Sequence, residues 1–489
     1  MRACSPGLIV LLAGLVVSPV LAGQEPEPLV IGFEPGDAPG LALPEAAAAH
    51  WRLDAVEGAS PQGEGHVILL GADAVAPPGA ATRVTDAAPY AGEVIRLSAW
   101  LKVTGEPGPL AGLWLRVDGD TPGRPLFFDN MSDRPVQAGD WARYEIMAYV
   151  PEGATRLLYG VLKSAPGTLA VDEMMLVIAD ADARAMSEEA RVYLDEALAL
   201  LERHHINSGR ADWPEIRTVA TGMAAGAETP ADVHPALVAV VGLMGERHSR
   251  FISAPETRDP SSVWSGSRNR PPEVGMAAPG VGLLTLPPLT AGGTQDPDGQ
   301  IYSSTLSRAL TDQAANGACG WIVDLRGNGG GNMWPMLNGL EALLGAGPFG
   351  GFGSADGPRA QWVRDGSIIA SRPVGTDIQP GTSGRLAGAP VAVLTGPQTG
   401  SSGEMVAIAF RGRDRTRSFG APTAGLTTAN TPFPLSDGSR LLITTSGVLD
   451  AAGRFIQGPL VPDEAVPADT VLDRALQWLG ESGCGAGPQ

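Results

Sequence analysis

The sequence predicts a multidomain protein: a β-sandwich, then a helical subdomain, then an α/β core. Between residues 28 and 180, short apolar stretches with partial alternation recur between turns, as strands of two packed antiparallel sheets do. From Ser187 the apolar spacing changes to three and four, the period of an amphipathic helix. Further on, two strand-loop-helix units each carry a glycine-rich loop at the end of an apolar strand, and such alternation builds a sheet covered by helices. A chain of 489 residues is also too long for one ordinary hydrophobic core.

Composition narrows the function before any motif is weighed. The formal charge is -19 and no basic run is present, which argues against a nucleic-acid partner, because neutralising phosphates takes clustered Lys and Arg. Lys102 and Lys163 are the only lysines while arginine is common, a balance that fits a GC-rich bacterial genome. The opening residues MRACSPGLIVLLAGLVVSPVLAGQ combine an early Arg, an apolar run from Gly7 to Val20 and a small-residue cleavage pattern ending at Ala22. Residues 1–22 therefore read as a secretory signal rather than a membrane span, which needs about 20 apolar residues. The expected location is periplasmic or extracellular. Loss of the signal leaves Cys319 and Cys484, between which export permits one bond. Cys319 precedes an apolar strand, however, and reads as a buried small residue.

Residues 28–180 contain VIRLSAWLKV, AGLWLRVDG, WARYEIMAYV, TRLLYGVLK and LAVDEMMLVI. The succession GLWLRVDG, FFDNMSDRPV and GDWARYEIMAYVPEGA resembles the jelly-roll domains of carbohydrate-binding modules. That resemblance implies docking to a glycan or the cell envelope, with Trp100, Trp114, Trp141 and Tyr159 as the rings available for stacking. Aromatics in strands are more often core residues, so a structural or docking role is favoured over sugar binding.

Helical periodicity opens the subdomain at residues 187–265. Leu194, Leu198, Leu201 and His205 share one face of the first helix. A later helix starts with Thr229 as N-cap, Pro230 at the first helical position and Asp232 three residues after the cap, and Gly245 ends it. His248 then falls on a turn in GERHSRF.

In the core at residues 270–480, GWIVDLRGNGGGNMWPMLNGLEALLG and APVAVLTGPQTGSSGEMVAIAF are the two strand-loop-helix units. The first loop is not a nucleotide fingerprint: Asn332 occupies the place of the third glycine, and no G-K-[ST] follows. Glycines let backbone amides converge on one point, and such amides stabilise an oxyanion. A serine at the start of the following helix adds a nucleophile, which needs a base to take its proton. No lysine lies beyond Lys163, so a serine-lysine pair in the α/β part is excluded. His50 and His66 lie in the β region, His204, His205 and His234 on helices, and His248 is the histidine expected on a loop. Ser401 and Ser402 are the candidate nucleophiles, with a helix cap as the plain alternative. Glu404 stands where the last glycine of G-x-S-x-G would be, so this is not that elbow.

Together DLRGNGGG, TGSSGEM, GERHSRF and GRFIQGPLVPDEAVP resemble the C-terminal processing, or tail-specific, protease family over about Ser187 to Gly480. The match is to the serine-histidine branch, to which tricorn protease and nisin-resistance proteins belong. The resemblance implies a crotonase-like α/β domain and an exported serine endopeptidase with a peptide or protein substrate and no metal or cofactor. It implies Ser401 as nucleophile, His248 as base, and the amides of Ser402 with Gly329 or Gly330 as the oxyanion hole. The lysine of the other branch falls at Leu426. Glu246, Glu404, Asp463 and Glu464 are the acids available to support His248. Asp324 and Arg326 read as an ion pair or loop anchors, and Asn328 as a loop holder. Too few residues separate His248 from Trp321 for a PDZ domain with its connecting strands. A non-catalytic peptide, lipid or glycan binder on the same fold and an esterase are the competing expectations.

Overall fold

The computed structural model describes residues 29–31, 40–60, 63–73, 77–120, 125–132, 134–179, 185–254, 269–290, 296–366, 368–376 and 384–484. The expected signal at residues 1–22 lies outside them. The chain forms two compact units, the first within residues 1–179 and the second comprising Met147–Tyr149 and Asp180–Gln489.

The first unit is built from two sheets. One runs in the order Arg52–Ser60, Gly63–Ala72, Gly167–Ile178, Val94–Gly105 and Ala142–Tyr149, with Leu29–Ile31 also pairing to Gly167–Ile178. The other runs Gly79–Asp86, Arg156–Lys163, Ala111–Asp118, Pro125–Asp129, antiparallel throughout. Alternation puts Leu113, Leu115 and Val117 on the buried face together with Leu157, Tyr159 and Val161, all fully buried. Tyr159 is therefore a core residue, and Trp114 is buried as well. Neither is available to stack on a sugar, while Trp100 and Trp141 are half-buried.

The second unit begins with helices Glu188–His204, Trp213–Met223 and Pro230–Leu243. Ser187 caps the first by accepting the Ala190 N–H at 3.1 Å, and Leu194, Leu198 and Leu201 are its buried stripe. Thr229 is the N-cap of the third, and the Asp232 carboxylate accepts the Thr229 N–H at 2.9 Å. The helical segment is shorter than 187–265, because Arg250–Ile252 is already a strand, paired antiparallel to Arg440–Leu449.

The core sheet has the order Glu273–Ala278, Val281–Thr285, Gly320–Asp324, Val391–Thr395, Thr416–Gly420, Glu464–Ala465. All neighbours after the first pair are parallel. Strands buried on both faces need continuous apolar runs, which GWIV and VAVL supply. Trp321, Val323, Val391 and Val393 enter one apolar cluster, shared with Tyr302, Leu306, Met336 and the helix Ser402–Phe410. Ile322, Ala392 and Leu394 enter another, shared with Val471, Ala475 and Leu479 of the last helix. Period-two side-chain direction thus requires helices on both faces. Cys319 and Cys484 form a disulfide across 165 residues beside that second cluster. Cys319 is therefore not a buried small residue: it is exposed, and the disulfide ties the start of its strand to the end of the last helix. Gly320–Asp324 and Val391–Thr395 are parallel neighbours, so the two glycine-bearing loops leave the sheet side by side at its carboxyl edge, where open α/β sheets hold their ligands.

Candidate active site

Ser401 is the N-cap of the helix Ser402–Phe410, with φ 50 and ψ -119. An L-residue pays about 1–3 kcal/mol for such a conformation, which persists only where its surroundings over-determine it. Glu404 supplies that constraint. Its Oε2 accepts the N–H of Ser401 at 2.9 Å and of Leu426 at 2.8 Å, and its Oε1 accepts the Gly425 N–H at 2.9 Å and the Thr423 hydroxyl. The side chain is fully buried. Burial pushes its carboxyl above the usual range, while the hydrogen bonds from Thr423, Gly425, Ser401 and Leu426 pull it the other way.

The first glycine loop packs directly against this turn. A Cβ on Gly330, at φ +118, would lie 2.7 Å from the Ser401 Cβ and 3.2 Å from its Oγ, so only glycine lets the loop approach so closely. Asn328, fully buried, joins the loops: its Oδ1 accepts the Gly330 N–H at 3.0 Å and its backbone carbonyl accepts the Gly400 N–H at 2.9 Å. The Ser402 hydroxyl donates to the Gly331 carbonyl at 2.5 Å. This corrects one expectation, since the Gly330 N–H is taken up by Asn328 and is not free for an oxyanion. The N–H groups of Gly329 and Ser402 have no acceptor among the described residues. Asp324 and Arg326 form an ion pair at 2.7 Å that braces the base of the loop.

His248 reaches the same point from the turn after the third helix. Its Nε2 lies 3.0 Å from the Ser401 Oγ and its Nδ1 2.7 Å from the Thr428 Oγ1. The tautomer with the proton on Nδ1 satisfies both contacts: Nδ1 donates to Thr428 and Nε2 accepts from the Ser401 hydroxyl. Burial holds the imidazole down at about 4, with the Glu246 charge opposing and the Arg250 charge assisting. The ring is therefore neutral near pH 7, as a proton acceptor must be.

Among the described residues, no carboxylate meets the imidazole, which departs from what the four candidate acids predict. Glu246 binds the His248 backbone N–H at 2.5 Å rather than its ring, and Glu404 serves the Ser401 turn. Asp463 accepts from the Ser418 N–H and hydroxyl at 2.8 and 2.7 Å, and Glu464 pairs with Arg474 and Arg417. Sequence reasoning missed Thr428, which lies 180 residues from His248, because only sheet register brings the two together. Arg440–Leu449 is the common neighbour: Leu442 pairs with Arg250 and with Pro432. The Asn430 side chain, on the same strand as Thr428, donates to the His248 carbonyl at 2.6 Å. Among the described residues, no cluster of three or more His, Cys, Asp or Glu side chains is placed to hold a metal ion. Nor, among them, is any helix long and apolar enough to cross a membrane.

This arrangement has relatives. Residues 281–466 match the model of peptidase family S41. The chain is 28% identical over 289 residues to the nisin-resistance protein of Lactococcus lactis subsp. lactis, covering 59% of this chain and 86% of that protein. It is also similar to the structure of a lipoprotein from Streptococcus agalactiae, with 25% identity and a TM-score of 0.50 over 62% of this chain and 99% of that one.

Proposed function

We propose, from the premise that residues 281–466 form a peptidase family S41 domain and that the chain is a serine peptidase, that it is an exported endopeptidase working through a Ser401–His248 acyl-enzyme mechanism. The observation that carries the reading is the 3.0 Å contact between the His248 Nε2 and the Ser401 Oγ, made by an imidazole that burial keeps neutral. Ser401 attacks the scissile carbonyl while Nε2 takes its proton. The tetrahedral oxyanion is held by the N–H groups of Ser402 and Gly329, which have no acceptor among the described residues. The imidazolium returns the proton to the leaving amine, and water then hydrolyses the acyl-enzyme by the same route. Thr428 holds Nδ1, so the ring keeps the tautomer and angle the transfer needs. The hydroxyl orients the ring without neutralising its charge.

Export is supported by the N-terminal stretch with its apolar run and by the disulfide Cys319–Cys484, which persists in an oxidising compartment. A crotonase-like description of the core is supported by the parallel sheet with helices on both faces. The two-sheet N-terminal unit is read as a jelly roll that docks the enzyme to glycan or envelope material and takes no part in the chemistry.

The test is labelling by a fluorophosphonate probe together with peptide-library cleavage. Wild type is expected to label and to cleave peptides, and Ser401→Ala to lose both by about 10⁴-fold or more with its circular dichroism unchanged. Loss in Ser402→Ala alone would move the nucleophile by one residue. An unlabelled wild type would favour a binding protein, and turnover of esters but not peptides an esterase.

A further inference from the structure

We propose that Glu246 is a positioning residue for the general base, fixing His248 through its backbone amide and through its charge, with His205 holding Glu246 in turn. The inference rests on the reading of Ser401 and His248 as nucleophile and base. Donors from both sides converge on the carboxylate. Its Oε2 accepts the His248 N–H at 2.5 Å, and its Oε1 accepts the Ser249 N–H at 2.9 Å and the His205 Nε2–H at 3.2 Å. A carboxylate that reaches two and three residues forward closes its own turn, leaving the base little freedom to swing away from Ser401.

The role of His205 is set by its surroundings. Its side chain is fully buried at the C-terminal cap of the helix Glu188–His204. The Asn207 N–H donates to its Nδ1 at 3.0 Å, so the ring proton sits on Nε2 and is given to Glu246. The Asn207 amide also donates to the Met244 carbonyl at 2.9 Å, binding the same segment one step upstream. On the far side Asn430 holds the His248 carbonyl, and Thr444 donates to the Asn430 Oδ1 at 2.8 Å. Both backbone polar groups of the base are thus held by side chains from different elements.

A turn needs only an acceptor, and a neutral amide would serve. Here the acceptor is an ion. Burial favours its neutral form, yet hydrogen bonds from His205, Ser249 and the His248 and Ser249 amides hold its pKa down at about 2. The charged groups acting on the His248 ring are Glu246, which favours the imidazolium, and Arg250, which opposes it. Since Thr428 supplies no charge, Glu246 does at a distance what a triad carboxylate does in contact, stabilising the imidazolium as it forms.

The experiment is Glu246→Gln, which keeps size and one acceptor oxygen but removes the charge. We expect kcat for peptide hydrolysis to fall about 10- to 100-fold with KM changed less than about twofold. The acidic limb of the kcat/KM profile should move to lower pH, because the imidazolium loses its neighbouring anion. Glu246→Asp should restore part of kcat. His205→Gln, whose amide can still donate, should stay near wild type, and His205→Phe should follow Glu246→Gln in part. If Glu246→Gln fails to fold, the acidic limb of Glu246→Asp and His205→Phe carries the test. Full kcat with an unmoved acidic limb, alongside inactive Ser401→Ala and His248→Ala, overturns the role of Glu246 and leaves the base intact. Activity surviving in Ser401→Ala overturns the underlying reading instead.

Discussion

Two glutamates flank the site, Glu404 fully buried and Glu246 partly so, and they behave in opposite ways. Glu404 lies three residues after Ser401 and Glu246 two residues before His248. Each binds backbone N–H groups around its reactive neighbour, and neither touches the imidazole. Burial carries Glu404 above the usual carboxylate range, whereas the donors around Glu246, His205 among them, bring it down to about 2. The difference lies in what each carboxylate is for. At Ser401 it props a strained backbone, for which hydrogen-bond acceptance suffices. At His248 it adds a fixed negative charge beside a group that must become positive. The stability linkage therefore has opposite signs. Glu404, with its folded pKa raised, contributes stability that is complete below its unfolded pKa and lost as pH rises through the folded one. Glu246, with its folded pKa depressed, contributes stability present above its unfolded pKa of about 4.3 and lost as pH falls toward 2.

The most damaging way to break the serine side is Gly330→Ala. Its methyl would meet the Ser401 Cβ at 2.7 Å, an atom fixed to the backbone, at a position with φ +118. We expect kcat/KM to drop about 100-fold or more, because a displacement near 1 Å has that effect on reacting groups, and stability to drop by about 1–3 kcal/mol. Gly327→Ala in the same loop meets nothing within 4 Å and should retain nearly full activity. Equal losses in both would show that loop flexibility, not contact with Ser401, is what matters.

A smaller effect is expected on the histidine side from Thr428→Val, which keeps the shape and removes the hydroxyl at Nδ1. A loss of about tenfold in kcat, with the probe still reacting slowly, is expected. An unchanged kcat would mean that backbone restraint from Glu246 and Asn430 orients the ring without Thr428.

The subtlest comparison is of thermal stability against pH. His248 has its folded pKa at about 4, below the usual 6.5. Its neutral form therefore contributes stability above pH 6.5 that is lost as pH falls through about 4. On a shift from pH 7 to about 4.5, wild type should lose a few degrees more of thermal midpoint than His248→Gln. Equal losses would place the imidazole pKa near its unperturbed value.

What was legible in the sequence was legible for local reasons. GWIV and VAVL announce buried strands because a strand covered on both faces must be apolar throughout. Ser401 ahead of Gly403 and Glu404 announces a helix start, and DLRGNGGG a loop of close backbone approach. His248 stood out by elimination, from a chain with few histidines and no lysine near. The groups around these residues were not legible. Thr428 looks like any threonine until Leu442 brings its strand beside Arg250–Ile252. His205 reads as one more position on a helical face, though it lies buried against Glu246. For Cys319 the sequence offered Cys484 as the partner export permits, but only the fold brings the two ends of the core together.

By itself, then, the sequence determined which elements form, where the two loops leave their strands and which side chains carry reactive groups, because periodicity, capping and glycine content are properties of neighbours along the chain. Only the tertiary structure decided which N–H remains without an acceptor, which hydroxyl faces the imidazole and which carboxylate is held below its usual range, because those depend on hydrogen-bond partners more than 40 residues away and on how deeply each group is buried.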